Sequence, residues 1–350
     1  MDFDFTDEQL ALRDAVRGLL ATTYASIDGR RTATAKDPGF DEDMWRRLAE
    51  LGVLELPFTE DAGPTEVAIV ATEIGRVVSP EPFVEAIVLA GGLLHTAGAD
   101  TSGVGDGSVL PAYAGGPGVT ARETDGGWVL DGVKEPVLNG ARADLLVVTA
   151  DVDGSTAIFS TTGGAAAGYA TFDGGRAARV TFDGTPAELL ARDAAPLVER
   201  AEAEARVAYS HESIGLMETA LSLTTEYLRT RKQFGVPLKT FQTLTHRSAD
   251  MYISLELARS TALWATLVLQ DGGDATDAAS RAKLQVSKAG RHVGKEAIQL
   301  HGGIGVTMEY SVGHYTMRLT AIDHLLGDGR HHLARLAAKV GDHGVFEPLP

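Results

Sequence analysis

Apolar residues in the first part of the chain recur at helical spacing. Leu10, Leu12, Val16 and the pair Leu19–Leu20 follow Thr6-Asp7-Glu8-Gln9, a run with an N-cap residue and an acidic first turn. Phe40 to Leu51, Thr65 to Val78 and Phe83 to Leu94 predict further helices. Asp61-Ala62-Gly63-Pro64 and Ser79-Pro80-Glu81-Pro82 separate them. From about residue 105 the pattern changes to short apolar runs punctuated by Asp-Gly turns, at Asp106-Gly107, Asp131-Gly132, Asp153-Gly154, Asp173-Gly174 and Asp183-Gly184. Trp128–Leu130, Leu145–Ala150, Thr156–Ser160 and Ala178–Phe182 read as strands, and the Gly-rich run at 163–168 reads as a hairpin connection. Helical spacing returns from about 195. Ile214, Met217, Leu221 and Leu228 share one face, as do Leu244, Met251, Leu255, Ala258 and Ala262, and a further run spans Thr276 to Gln299. Four long segments between Gly and Pro breaks predict an antiparallel bundle. The fold class is therefore α+β and multidomain. An N-terminal α-helical domain (1–104) precedes a middle antiparallel β-domain (105–192) and a C-terminal four-helix-bundle domain (193–350).

Composition narrows the function classes. At 350 residues the chain has room for two or three domains and a substantial core. Its 44% hydrophobic content indicates a soluble globular protein, and no apolar run is long enough to predict a membrane span. The acidic, amphipathic start, MDFDFTDEQLALRD, is unlike a signal or transit peptide, and a cytoplasmic location is the simplest expectation. The absence of cysteine excludes disulfides, thiolate metal sites and cysteine nucleophiles. A net charge of −17 argues against nucleic-acid binding, so an anionic ligand must meet a local cationic patch.

One such patch lies at a helix break, Arg231 to Gln242, reading RKQFGVPLKTFQ. It offers two cations (Arg231, Lys232), an aromatic (Phe234) and an amide (Gln242), and a guanidinium fork suits phosphate or pyrophosphate. Taken alone, a helix–helix turn with a solvated basic end also accounts for it. A second stretch, Gln299 to Gly305, reads QLHGGIG and continues through Val306-Thr307-Met308-Glu309-Tyr310. Three glycines in four positions permit close backbone approach to a ligand. A helical run precedes it, so it is not the strand-to-helix dinucleotide fingerprint. Neither stretch predicts a metal site, and the adjacent His331 and His332 would point about 100° apart on a helix.

The pairing of RKQFG and a following Gln with Q-x-x-G-G-x-G about sixty residues later resembles the acyl-CoA dehydrogenase family, over nearly the whole chain. The resemblance implies an α–β–α fold opened by a helix at Phe3–Tyr24. It implies FAD as cofactor, with Arg231, Phe234, Gln242, Gln299, Gly302 and Gly303 holding the tail of an FAD bound mainly by a neighbouring subunit. It also implies an acyl-CoA substrate, an electron-transfer flavoprotein as electron acceptor, and a place for Arg206 near the acyl-CoA entrance.

Three departures sharpen that picture. The family's base is a glutamate in a Tyr-Glu-Gly-Thr-like turn, and here Leu325-Leu326-Gly327-Asp328-Gly329 falls there. Leu326 and Gly327 cannot take a proton. Asp328 is the candidate base left in the turn, although an aspartate followed by Gly329 suits a turn or helix cap better. A minority of members place the base on the first long helix of the last domain, where this chain has Ala205, with Glu204 about 100° away. The flavin-ring loop is replaced by Val109-Leu110-Pro111-Ala112-Tyr113-Ala114-Gly115-Gly116, and the Trp-x-Thr segment by Pro136-Val137-Leu138. The tail-binding half is kept while the ring-binding half and base are lost. This resembles the paired acyl-CoA dehydrogenases that actinobacteria use on steroid side-chain CoA thioesters. The expectation is α,β-desaturation of an acyl-CoA by a heterotetramer with a homologous partner subunit. Two rivals stand: a self-sufficient homo-oligomer using Asp328, and a non-catalytic scaffold.

Overall fold

The computed structural model describes residues 5–307 and 309–342; the expected helix start at Phe3, Met308 of the glycine-rich stretch and the last residues of the 193–350 segment lie outside them. The N-terminal part is helical: α1 (Asp7–Tyr24), α2 (Ile27–Thr34), α3 (Glu42–Glu50) and α4 (Pro64–Val77). Thr6 caps α1 in a capping box with Gln9, and Asp41 caps α3 through the amides of Asp43 and Met44. Phe83–Gly91 forms a π-helical segment that continues as α5 (Gly92–Thr96), and a single turn, α6 (Ser102–Gly105), leads out.

Seven strands follow: β1 (Pro111–Ala114), β2 (Val119–Thr124), β3 (Gly127–Leu138), β4 (Leu145–Val152), β5 (Ser155–Thr161), β6 (Ala165–Ala170) and β7 (Arg176–Ala191). The pairings β2–β3, β3–β7, β7–β5, β5–β4 and β4–β2 close a ring. Its interior is apolar: Leu130, Val137, Val148, Phe159, Val180 and Phe182 are buried there. Most pairs are antiparallel, as the Asp-Gly turns predict, but β1 runs parallel to β4. The segment at 163–168 is not a bare connection. Most of it is strand β6, whose residues are all exposed and which pairs only with β7.

The last domain holds α7 (Ala195–Thr230), a two-residue-stranded hairpin of β8 (Lys232–Gln233) and β9 (Val236–Pro237), α8 (Gln242–Gln270), α9 (Ala275–His301), α10 (Val312–His324) and α11 (Gly329–Ala338). α7 is the axis of the molecule, with Ala205 to Met217 continuously buried. It packs on α4 at backbone distance: a Cβ on Gly75 would lie 2.0 Å from the carbonyl oxygen of Glu212, and one on Gly215 2.0 Å from that of Thr72.

Three parts of the chain meet at Arg318 on α10. Its Nε donates to Glu212 on α7 (2.6 Å), its Nη2 to Glu85 of the π-helical segment (3.0 Å) and its Nη1 to Asp173 between β6 and β7 (3.3 Å). Burial opposes the Arg318 charge, but the three carboxylates outweigh it and hold the guanidinium well above its ordinary value. Among the described residues no helix is long and apolar enough to cross a membrane.

Candidate functional site

The helices that carry the two sequence stretches meet at one end of the bundle. Tyr227, in the last turn of α7, packs its ring 4.6 Å from that of His301, in the last turn of α9, and Tyr310 lies 5.0 Å from His301 on another side. An ion pair of Arg247 with Glu296 (2.6 Å) ties the start of α8 to the end of α9. His301 is buried in this cluster and donates through Nδ1 to the Ala297 carbonyl (2.7 Å), so its ring turns inward, away from the surface.

Arg231, Phe234, Gln242, Gln299, Gly302 and Gly303 are all exposed. Phe234 and Gly235 form the tip of the β8–β9 hairpin, at φ +52° and +79°. A two-residue hairpin turn wants positive φ at both positions, which a phenylalanine adopts at a cost. The same Phe234 is 90% exposed, with only an edge-to-face contact to Phe241 at 6.1 Å. A large aromatic held in strained backbone and pointed at water is a feature that binding, not folding, explains. Among the described residues no ion pair engages Arg231 or Lys232. Gly302 has φ +64°, and a Cβ at Gly302 or Gly303 would meet nothing within 4 Å, so the backbone there lies open. A free guanidinium, an amide and bare backbone suit a pyrophosphate, and the exposed ring suits an adenine face. These residues fit the tail of a dinucleotide.

The interdomain cleft is of the opposite character. One cavity of about 270 Å³ is lined by Glu85, Leu89, Tyr113, Gly115, Glu202, Tyr209, Leu325 and Leu326, with Pro136 and Leu138 on the β side. It shares Glu85, Pro136, Leu138, His324 and Leu325 with a second cavity of about 420 Å³. That one in turn shares Asn139, Tyr169 and Arg176 with an outer cavity of about 730 Å³. The outer cavity is the largest of these three, but it lies between the α2–α3 connection and the β-domain, and the tail residues do not line it.

Arg206 is buried beside this cleft. Its Nη2 donates to Glu202 (2.6 Å) and its Nε to the carbonyl of Leu326 (2.9 Å). Burial lowers the Arg206 guanidinium from its ordinary value, against the pull of Glu202. His332 donates from Nε2 to the same Leu326 carbonyl (3.2 Å). Burial, with the charges of Arg206 and Lys283, pushes His332 down to about 4, so its ring is neutral. Lys283, buried on α9, donates to the carbonyls of Ile322 and Asp323 and is pushed down to about 7 by burial. The 325–329 turn is thus held from behind at Leu326 by Arg206 and His332, while Lys283 holds the end of α10 just before it, and Leu326 stands at φ +54°.

Asp328 caps α11: its carboxylate accepts from the His331 amide (2.8 Å), which holds it below the usual carboxylate range. Ala205 is fully buried, and Glu204 pairs with Arg200. The carboxylates that line the 270 Å³ cavity, Glu202 and Glu85, are not among the candidates that the sequence offers. Glu202 lies one helical turn before Arg206, which marks an ion pair. Its other partner, Tyr113, is 89 positions away and left no local signal. Among the described residues no group of three or more His, Cys, Asp or Glu is placed to hold a metal ion.

An α–β–α chain with a β-domain between two helical domains has the architecture of the acyl-CoA dehydrogenase fold. Comparison makes the assignment definite. Family models for the acyl-CoA dehydrogenase N-terminal and C-terminal domains match residues 6–101 and 196–341. Acyl-CoA dehydrogenase IpdE2 of Mycobacterium tuberculosis is 32% identical over 345 residues, covering 95% of this chain and 98% of that protein. A variant of the Tcur3481–Tcur3483 steroid ACAD superposes with a TM-score of 0.87 at 29% identity, covering 96% and 98% of the two chains. The ChsE4–ChsE5 complex from Mycobacterium tuberculosis shares the fold, with a TM-score of 0.90 at 24% identity over 99% and 100%. This chain is a member of the acyl-CoA dehydrogenase family.

Proposed function

We propose that this chain is one subunit of a heteromeric acyl-CoA dehydrogenase that desaturates the α,β bond of an acyl-CoA thioester. In this reading its bundle end holds the tail of an FAD whose ring lies in a homologous partner. FAD, when bound, accepts the hydride from the β-carbon. Arg231 meets the pyrophosphate, Gln242 and Gln299 offer side-chain amides, and Gly302–Gly303 let the backbone approach. Phe234 reaches across to the partner. A base in the partner's pocket takes the α-proton, and an electron-transfer flavoprotein receives the electrons.

The observation that carries this reading is Phe234, 90% exposed at φ +52° beside a cation without an ion pair. Such a hairpin is completed by something outside the chain. The face of α8 that leads away from it is apolar too: Tyr252, Ile253, Leu257 and Trp264 are all exposed. Paired complexes among the structural neighbours support a homologous partner. Asp328 is assigned here to capping α11, and Arg206 to holding the 325–329 turn.

The test is acyl-CoA-dependent reduction of an electron-transfer dye. Activity is expected from the complex of this chain with a homologous partner and from neither chain alone. Turnover by this chain alone, abolished by Asp328→Ala with flavin retained, would instead establish the self-sufficient enzyme.

A further inference from the structure

The residues around this chain's own cleft do not fit a flavin ring, and the obstruction has one centre. Tyr113, at the end of β1, turns its side chain out of the β-domain and across the cleft. Its ring lies directly over Gly115: a Cβ there would sit 2.2 Å from the Tyr113 Cζ and 2.3 Å from Cε1. Its hydroxyl donates to Glu202 Oε1 on α7 at 3.0 Å. Glu202 Oε2 accepts from Arg206, and Arg206 in turn donates to the Leu326 carbonyl. Tyr113, Glu202, Arg206 and Leu326 therefore form an unbroken bridge from the β-domain, through α7, to the 325–329 turn. Burial, reinforced by the Glu202 charge, raises the Tyr113 hydroxyl above its ordinary value, so it stays protonated and donating at neutral pH.

The resemblance assigns the flavin-ring segments to 109–116 and 136–138; both line this cleft, where the Tyr113 side chain bridges β1 and α7. The space at this level, about 270 Å³, continues along shared lining into the neighbouring cavity of about 420 Å³, so the obstruction is the Tyr113 ring itself and not the volume. A ring three fused cycles wide would have to displace the Tyr113 ring from over Gly115.

We infer that Tyr113 excludes flavin from this chain's own cleft, so that each pair of subunits carries one flavin and not two. The inference rests on the shared-site reading above. It goes beyond that reading by naming the residue that makes the assembly asymmetric.

The experiment uses the complex with the homologous partner, loaded with FAD and desalted. Riboflavin is then titrated in and followed by fluorescence quenching. Riboflavin has the ring but no adenylate tail, so it reports the cleft without needing tail contacts. Wild-type complex is expected to take up no further ring. Tyr113→Ala is expected to bind one riboflavin per pair of subunits, at least ten-fold tighter than any residual wild-type binding. Tyr113→Phe is expected to behave as wild type, because its ring still fills the slot. Tyr113→Leu serves as a second opening variant if the alanine form misfolds, with circular dichroism and elution volume as the fold check. Folded opening variants that bind no riboflavin would overturn the inference, and so would a Phe variant that binds as well as Ala.

The shared-site reading fails separately, on the wild type. If the wild-type complex held no FAD at all, that reading would be wrong, and the riboflavin result would still decide the role of Tyr113. Stoichiometric FAD in wild-type chain purified alone would overturn both.

Discussion

The bundle end and the interdomain cleft sit on the same chain and treat their polar groups in opposite ways. At the bundle end Arg231 and Lys232 have no ion-pair partner among the described residues, Gly302 and Gly303 face open space, and Phe234 stands in water at φ +52°. In the cleft, Tyr113, Glu202, Arg206 and Arg318 each spend their hydrogen bonds on another part of the same chain. Folding explains the second arrangement, because buried polar groups must be paired. It does not explain the first, which leaves strain and exposed aromatic surface with no internal return. The cleft is closed mostly from within, although Arg206 Nη1 and His332 Nδ1 stay buried without a hydrogen-bond partner, and the bundle end is left open.

Four measurements break or sharpen this contrast. Arg318→Leu should have the largest effect, since it strands Glu85, Glu212 and Asp173 in the interior. A loss of roughly 3–5 kcal/mol is expected from chemical denaturation; a loss under 1 kcal/mol would mean that the three carboxylates find water.

The next effect is a pH dependence from the cleft. Burial depresses His332 from 6.5 to about 4. Between those values the unfolded chain binds a proton that the folded chain refuses. The His332 contribution is therefore full above pH 6.5 and is lost as the pH falls towards 4. It amounts to as much as roughly 3 kcal/mol. Denaturation curves of wild type and His332→Gln across that window should converge at low pH; parallel curves would place the histidine in contact with water.

At the bundle end the signs separate. Arg231→Ala should leave stability within about 0.5 kcal/mol. It should weaken FAD binding by the complex roughly ten- to hundred-fold, as for a lost hydrogen bond to a charged group. Equilibrium dialysis of FAD against the complex reads this directly, and unchanged affinity would remove Arg231 from the tail site. Phe234→Gly should be the mildest change to the isolated chain. Relief of the left-handed phenylalanine offsets the entropy of glycine, so stability should move by less than about 0.5 kcal/mol. A thermal melt showing a drop of several degrees would mean that Phe234 packs within its own chain.

Much of this fold is local in origin and so legible in the sequence. The helical periodicities of α4, α7, α8 and α9, and the Asp-Gly turns between strands, each depend on residues a few positions apart. That RKQFG and QLHGGIG lie at exposed helix ends was legible for the same reason, since both are compact runs. What sequence missed is long-range. The strand β6 is an alanine and glycine run with no strand character of its own, formed because β7 offers it a partner. The parallel pairing of β1 with β4 joins segments over thirty positions apart. The Tyr113–Glu202 and Arg318–Glu85 contacts link residues 89 and 233 positions apart. No periodicity or spacing can carry such contacts. The two roles left open for Asp328 differ only in whether a backbone amide is in reach, and His331 supplies one.

The central claim is that the flavin site on this chain is completed by another. Its most direct test is the visible absorption spectrum of the protein purified alone and after co-purification with a homologous partner. Flavin bands that appear only in the complex, at one flavin per pair of subunits, are the predicted result. Stoichiometric flavin bands in the chain purified alone would contradict it.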